Sequence, residues 1–126
     1  IPVECCPTSN LMTLDLWSPP SPSNDDHNSI PLSEALRTSH PRLGRWLRDG
    51  YPLSINTDDP GVFSTDSTKE WCGVAEAFGD LISSPAQIRN MISDTMDHAF
   101  CDDDTKRKIR EIINQAHTQT HTGEVG

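Results

Sequence analysis

The sequence predicts an α/β protein with a parallel sheet. Two short segments, residues 1–6 and 51–57, alternate apolar and polar side chains as β-strands do. Residues 41–48 lie between them and carry apolar side chains at helical spacing, and three further helical patterns follow the second strand. Two strands separated by a helix are normally joined by a crossover and pair in parallel, so this order favours an α/β sheet.

The first predicted strand, residues 1–6, is followed by polar sequence. Residues 7–10, Pro-Thr-Ser-Asn, predict a turn, because Ser and Asn side chains bond to nearby backbone groups. Residues 18–29 contain Pro, Ser, Asn and Asp but no apolar side chain. We expect this stretch to be a disordered surface loop inserted into a domain that otherwise covers residues 1–126.

The second strand is preceded by a predicted helix at residues 41–48. Pro41 suits the first turn of a helix, and Gly50 suits the position just after its end. The strand itself, residues 51–57, should bury Leu53 and Ile55 on one face. The opposite face then carries small polar side chains and an acid: Ser54, Asn56 and Asp58.

Helical patterns fill the rest of the chain, at residues 68–78, 85–100 and 104–117. The acidic run 102–104 precedes the last of them. Negative side chains stabilise the positive end of a helix, so we interpret this run as a helix cap.

Composition excludes some partners. Nineteen acidic side chains against ten basic ones give a net charge of -9, which argues against a nucleic-acid polymer or an anionic membrane as partner. No segment approaches the ~20 apolar residues that cross a membrane. The four cysteines form no Cys-x-x-Cys motif, and we expect free thiols in a reducing, cytoplasmic compartment.

The chain also has the composition of a part of a larger protein. Its hydrophobic fraction is 33%, below the roughly 45–50% that is usual, so its own core would be thin. It starts at Ile1, already inside a predicted strand. We therefore expect a truncated chain.

The candidate site is the end of the second strand, where residues 54–61 read Ser-Ile-Asn-Thr-Asp-Asp-Pro-Gly. Ligands bind at the carboxyl ends of strands in parallel α/β folds. Asp58 and Asp59 are adjacent and must point in different directions, so one could bind a metal and the other could accept a hydrogen bond from substrate. An ordinary turn with a helix cap is the competing interpretation.

These residues resemble the adenosine deaminase family of zinc-dependent hydrolases. The resemblance rests on a His-Pro, a helix, a glycine, a strand and Thr-Asp-Asp-Pro in that order. This chain has them as His40-Pro41, residues 43–47, Gly50, residues 53–56 and Thr57-Asp58-Asp59-Pro60. Residues 1–10 resemble the preceding strand of that family. The Thr-Ser-Asn sequence at 8–10 and residues 61–65 look most like the branch that acts on 6-substituted purine nucleotides.

The resemblance implies the C-terminal part of a (β/α)8 barrel, its last two strands and closing helices. Such barrels have about 250 residues. It further implies that Asp58 is a catalytic residue and a ligand of Zn²⁺, and that Asp59 contacts a ring nitrogen of a purine nucleoside or nucleotide. The expected reaction is hydrolytic deamination at C6 of adenosine or an N6-substituted AMP.

The family's His-x-His pair and its His-Ala-Gly-Glu motif are missing from this sequence. One carboxylate cannot hold catalytic zinc, which needs about three protein ligands. We therefore expect zinc only in a complete barrel and no activity from this chain alone. Two alternatives stay open: a non-catalytic truncated or degenerate product that acts as an interaction module, and an acidic interaction module outside the family.

Three polar residues outside the Asp-Asp pair have two interpretations each. His40 either takes part in the site or orients the helix that follows it. Ser9 and Asn10 follow the first strand and either contact a phosphate or ribose or stabilise a turn.

Overall fold

The computed structural model of the protein describes residues 1–19 and 30–120. It divides into two compact units, Ile1–Ser83 and Ser84–Gly126. Within residues 1–19 and 30–83, the first unit contains two strands and five helices, in the order β1 (Val3–Cys5), α1 (Pro7–Thr13), α2 (Leu32–Ser39), α3 (Leu43–Arg48), β2 (Leu53–Ile55), α4 (Pro60–Phe63) and α5 (Ser67–Ala77). The second contains α6 (Pro85–Asp94), a 3₁₀ turn (Thr95–His98) and α7 (Asp103–Thr120).

The two strands pair in parallel, which confirms the predicted sheet. Val3 lies opposite Leu53, and Cys5 lies opposite Ile55. Hydrogen bonds from Val3 N to Pro52 O and from Asn56 N to Cys5 O, both 2.9 Å, extend the pairing beyond the strand ends. Because the strands run the same way, their carboxyl ends meet at one edge of the sheet.

Residues 7–10 belong to helix α1, so the turn predicted at these residues is wrong. Pro7 occupies the first turn, where its missing N–H costs no hydrogen bond, and Asn10 N donates to Cys6 O at 2.8 Å. The helix buries Pro7, Thr8, Ser9 and Leu11. Burial of this face against α2 and α5 outweighs the turn preference of its Ser and Asn.

The core of the first unit lies between the sheet, α2 and α5. Ala35 and Leu36 of α2 and Val74 of α5 are at most 1% exposed. A Cβ at Gly73 would lie only 3.0 Å from Leu32 Cδ2, so this glycine allows α2 and α5 to approach closely. Leu53 and Ile55 are buried as predicted, and the other core side chains are Cys5, Leu11, Leu43, Ala77, Phe78 and Ile82.

Helix α3 begins at Leu43, two residues later than predicted. His40 precedes a proline and is extended, with φ -66° and ψ 123°, because a proline disfavours helical backbone in the residue before it. The end of α3 is as predicted. Gly50 has φ +62°, and Tyr51 N donates to Trp46 O at 2.9 Å, which satisfies a carbonyl of the last turn.

The second unit is helical, but its first predicted helix is divided. A capping box formed by Ser84 and Gln87 starts α6, which ends at Asp94 and gives way to the 3₁₀ turn. Residues 99–100 are therefore not helical, and Phe100 is fully exposed. Asp102 Oδ1 accepts from Thr105 N at 2.7 Å, and this bond lowers the pKa of the Asp102 carboxyl, as a cap should.

Most of the loop predicted at 18–29 falls at residues 20–29, which lie outside the described residues. In the part of the chain that the structure describes, no helix is long and apolar enough to cross a membrane.

The packing of α2 yields a stability prediction. Leu36→Ala should lower the free energy of unfolding by about 2–5 kcal/mol, because it removes a fully buried side chain from a packed core. Leu36→Met nearly conserves volume and should cost less than about 1.5 kcal/mol. Urea denaturation of both variants measures the difference, and equal losses would show that this position is not packed as described.

Candidate functional site

The candidate site is the edge of the sheet where β1 and β2 both end. Asp58 lies three residues beyond β2 and has φ +59°, a left-handed conformation that Asp tolerates better than most residues. Ser9, in α1 just beyond β1, donates its hydroxyl to Asp58 Oδ2 at 2.7 Å. The parallel sheet thus brings together two residues 49 positions apart, and the hydrogen bond fixes one oxygen of the carboxylate.

Asp59 makes different contacts. It is the N-cap of α4, a helix that sequence reasoning missed, and its Oδ1 accepts from Gly61 N and Val62 N, both at 3.0 Å. A carboxylate at this position satisfies backbone donors that the helix cannot. The two carboxylates therefore have separate partners, and the helix cap considered for this segment is present at Asp59.

Polar side chains occupy the face of β2 that lacks Leu53 and Ile55. Ser54 and Asn56 are half-buried, and Asn56 Nδ2 donates to Ser54 Oγ at 2.9 Å. This alternation agrees with the predicted strand. The regular strand ends at Ile55, and Asp58, three residues later, has a left-handed backbone.

His40 orients the helix that follows it, one of the two interpretations its position allowed. Its Nδ1 accepts from Leu43 N at 3.1 Å, so the proton of the neutral ring is on Nε2. Nε2 lies 3.3 Å from Asn10 Oδ1 and therefore donates to it. Burial lowers the pKa of His40, which favours this neutral form.

Asn10 connects β1, α1 and α3. Besides His40, its Oδ1 accepts from Cys6 N at 3.3 Å and from Cys5 Sγ at 3.6 Å. These contacts are structural, because they hold the first turn of α1 against the end of β1 and against His40. Burial, with smaller contributions from Cys6 and Glu70, raises the pKa of Cys5 to about 12, so its thiol stays protonated.

Glu70 is a buried acid that sequence reasoning did not single out. It is 1% exposed, and it accepts from Thr8 N at 3.1 Å and from Thr65 Oγ1 at 2.6 Å. The sequence held a signal: Glu70, Val74 and Ala77 share one face of α5 at spacings of four and three, so the acid interrupts an apolar stripe. Glu70 ties α5 to the start of α1, directly before Ser9.

The described residues offer few ligands for a metal ion. Among residues 1–19 and 30–116, whose side chains are described, no three His, Cys, Asp or Glu are grouped to hold a metal. Asp58 offers one carboxylate, and a catalytic zinc site uses about three protein ligands. These residues suit one bond to zinc and do not form a zinc site by themselves.

Comparison with known proteins identifies relatives. The adenosine deaminase family model matches residues 30–116. N6-methyl-AMP deaminase of Homo sapiens is 29% identical over 114 residues, which are 90% of this chain and 26% of the relative. Adenosine deaminase of Escherichia coli strain SE11 is 34% identical over 113 residues, 90% of this chain and 27% of the relative.

A third relative is a deaminase with a different name. Aminodeoxyfutalosine deaminase of Streptomyces coelicolor is 28% identical over 116 residues, 90% of this chain and 24% of the relative. The chain thus spans about a quarter of the length of the curated relatives it matches. No solved structure was found to match it.

The buried His40 predicts a pH dependence. Its pKa in the folded state lies below the unfolded value of 6.5, so protons bind more readily to the unfolded chain. Its contribution to stability is therefore complete above pH 6.5 and declines as pH falls from 6.5 towards the folded pKa. The variant His40→Asn keeps an acceptor for Leu43 N but has no imidazole to protonate. The difference between its urea midpoints at pH 5.5 and pH 7.5 should therefore be smaller than in the unchanged protein. If the difference is as large in the variant, His40 does not cause the pH dependence.

Proposed function

Because the chain belongs to the adenosine deaminase family, we propose that it is the C-terminal part of a metal-dependent purine aminohydrolase. The expected substrate is adenosine or an N6-substituted AMP, in line with relatives named adenosine deaminase and N6-methyl-AMP deaminase. In this proposal β1 and β2 are the last two strands of a (β/α)8 barrel. Their parallel pairing and shared carboxyl edge agree with that placement.

The observation that carries the proposal is the hydrogen bond from Ser9 Oγ to Asp58 Oδ2. Metal-binding carboxylates are commonly held by a neighbouring hydrogen-bond donor that orients them. Ser9 orients Asp58 in this way, and Asp58 Oδ1 has no hydrogen bond within the described residues. That oxygen is the one we assign to the metal.

Zinc, when bound, would supply a hydroxide at neutral pH, because it lowers the pKa of its water to roughly 7. Asp58 would provide one ligand and accept a hydrogen bond from the attacking water. Asp59 keeps Oδ1 on the cap of α4, and we assign its other oxygen, Oδ2, to a purine ring nitrogen. The cap fixes the direction of the carboxylate, which favours a specific contact over a mobile one.

The remaining ligands and the catalytic Glu would come from sequence outside this chain. The 126 residues contain no His-x-His, so we propose that the chain alone does not deaminate. The alternative is a product that binds a partner without catalysis.

Substitutions at the two aspartates in the full-length protein test the proposal. Asp58→Ala should remove the bound zinc and reduce deamination of adenosine and N6-methyl-AMP by about 10³-fold or more. Asp59→Ser keeps a good N-cap, so zinc should stay bound while kcat/KM falls by about 10–100-fold. Asp103→Ala, at an exposed residue of α7, serves as the matched control and should change neither.

Metal analysis and steady-state kinetics distinguish the outcomes. If Asp58→Ala keeps its full zinc content and its activity, Asp58 is not a metal ligand. Deamination by the 126-residue chain alone would contradict its proposed dependence on the rest of the barrel. A stably folded isolated chain that binds a partner and lacks activity would favour the alternative.

A further inference from the structure

A cavity of about 340 Å³ lies in the first unit, between the end of α2, α3 and the segment after α5. Asp58 and Asp59 are not among the residues that line it. Its volume falls at the lower end of the range for small-molecule sites, about 300–1,000 Å³. It is large enough to hold a small ligand.

The wall of the cavity is basic although the chain is acidic. Four of the ten Lys and Arg side chains of the sequence line it, namely Arg37, Arg42, Arg45 and Arg48, against a single acid, Asp80. This leaves a surplus of three positive charges in a chain whose net charge is -9. His40 also lines the cavity, but both of its ring nitrogens have hydrogen-bond partners.

Three of the four arginines have no acidic partner within the described residues. Arg45 pairs with Asp49 at 3.3 Å, and both side chains are largely exposed, so this pair contributes little. Within the described residues, Arg37, Arg42 and Arg48 form no ion pair. Unpaired like charges concentrated at one cavity raise the local potential and attract anions.

The arrangement of α3 concentrates these charges on one side. Arg45 and Arg48 are three residues apart on α3 and are therefore neighbours on its surface, where like charges repel, and Arg42 is the N-cap residue of the same helix. The opposite face is anchored by Leu43, which is 0% exposed. An anion bound at the cavity would relieve the repulsion.

The cavity wall is held by close packing. A Cβ at Gly44 would lie 2.9 Å from Phe78 Cε1, so the buried Phe78 ring lies directly against the α3 backbone. At the start of α3, His40 Nδ1 accepts from Leu43 N. Arg42 and Arg48, at the two ends of α3, therefore project from a fixed backbone, which lowers the entropy cost of binding.

We propose that this cavity binds a small phosphate-bearing anion through Arg37, Arg42 and Arg48. Guanidinium groups match phosphate oxygens with paired N–H donors, and three of them can surround a diphosphate or a sugar phosphate. The site is separate from the proposed function of Asp58 and does not depend on it.

Binding to the full-length protein tests the inference. The probes are inorganic pyrophosphate and ribose 5-phosphate. Because ribose 5-phosphate is also part of an N6-substituted AMP, only binding that the arginine variants weaken is assigned to this cavity. Calorimetry should detect saturable binding of at least one probe, and affinity should fall as chloride increases. Tighter binding of pyrophosphate identifies a free phosphate anion as the ligand class, and tighter binding of ribose 5-phosphate identifies a phosphorylated metabolite.

Variants locate the site. The double variant R42Q/R48Q should weaken binding by at least about tenfold, and R37Q, on a different helix, should weaken it independently. Arg107→Gln, on α7, is the matched control and should leave affinity unchanged within about twofold. Circular dichroism confirms that each variant is folded. The inference is overturned if neither probe binds saturably, or if folded R42Q/R48Q and R37Q both bind like the unchanged protein.

Discussion

The parallel pairing of β1 with β2 is the constraint on which the site depends. Antiparallel strands would carry the segments after Cys5 and Ile55 to opposite edges of the sheet. Parallel strands bring both segments to one edge, where Ser9 reaches Asp58 across 49 positions of sequence. The connection through α2 and α3 makes this direction possible, because a parallel pair needs a long crossover.

Buried polar contacts then hold helix α1, which carries Ser9, in position at the edge of the sheet. Glu70 accepts a hydrogen bond from the backbone of Thr8, the residue before Ser9. Asn10, the residue after Ser9, accepts hydrogen bonds from Cys5, Cys6 and His40. Ser9 is thus held from both sides. A buried polar network of this kind costs free energy when one of its hydrogen bonds is missing, so it favours one arrangement of α1 over alternative arrangements. The orientation of the Asp58 carboxylate follows from that arrangement.

Sequence patterns predicted the elements whose cause is local. Alternation identified β2 and its buried Leu53, and Gly50 marked the end of α3, because both signals depend on a few adjacent residues. Residues 7–10 were wrongly predicted as a turn, since burial against distant helices decides their conformation. The adjacent aspartates identified the candidate site, but the Ser9 partner depends on strand register, which no local pattern specifies. The arginine cavity likewise depends on tertiary packing.

A double-mutant cycle on Ser9→Ala and Asp58→Ala, measured by urea unfolding of the full-length protein, tests the central claim most directly. The cycle cancels the separate effects of each change, including relief of the left-handed backbone at Asp58. The structure predicts a favourable coupling of about 0.5–1.5 kcal/mol, as for a hydrogen bond to a partly exposed carboxylate. A coupling of zero would mean that the two strand ends do not form one site, and the assignment of Asp58 as an oriented ligand would fail.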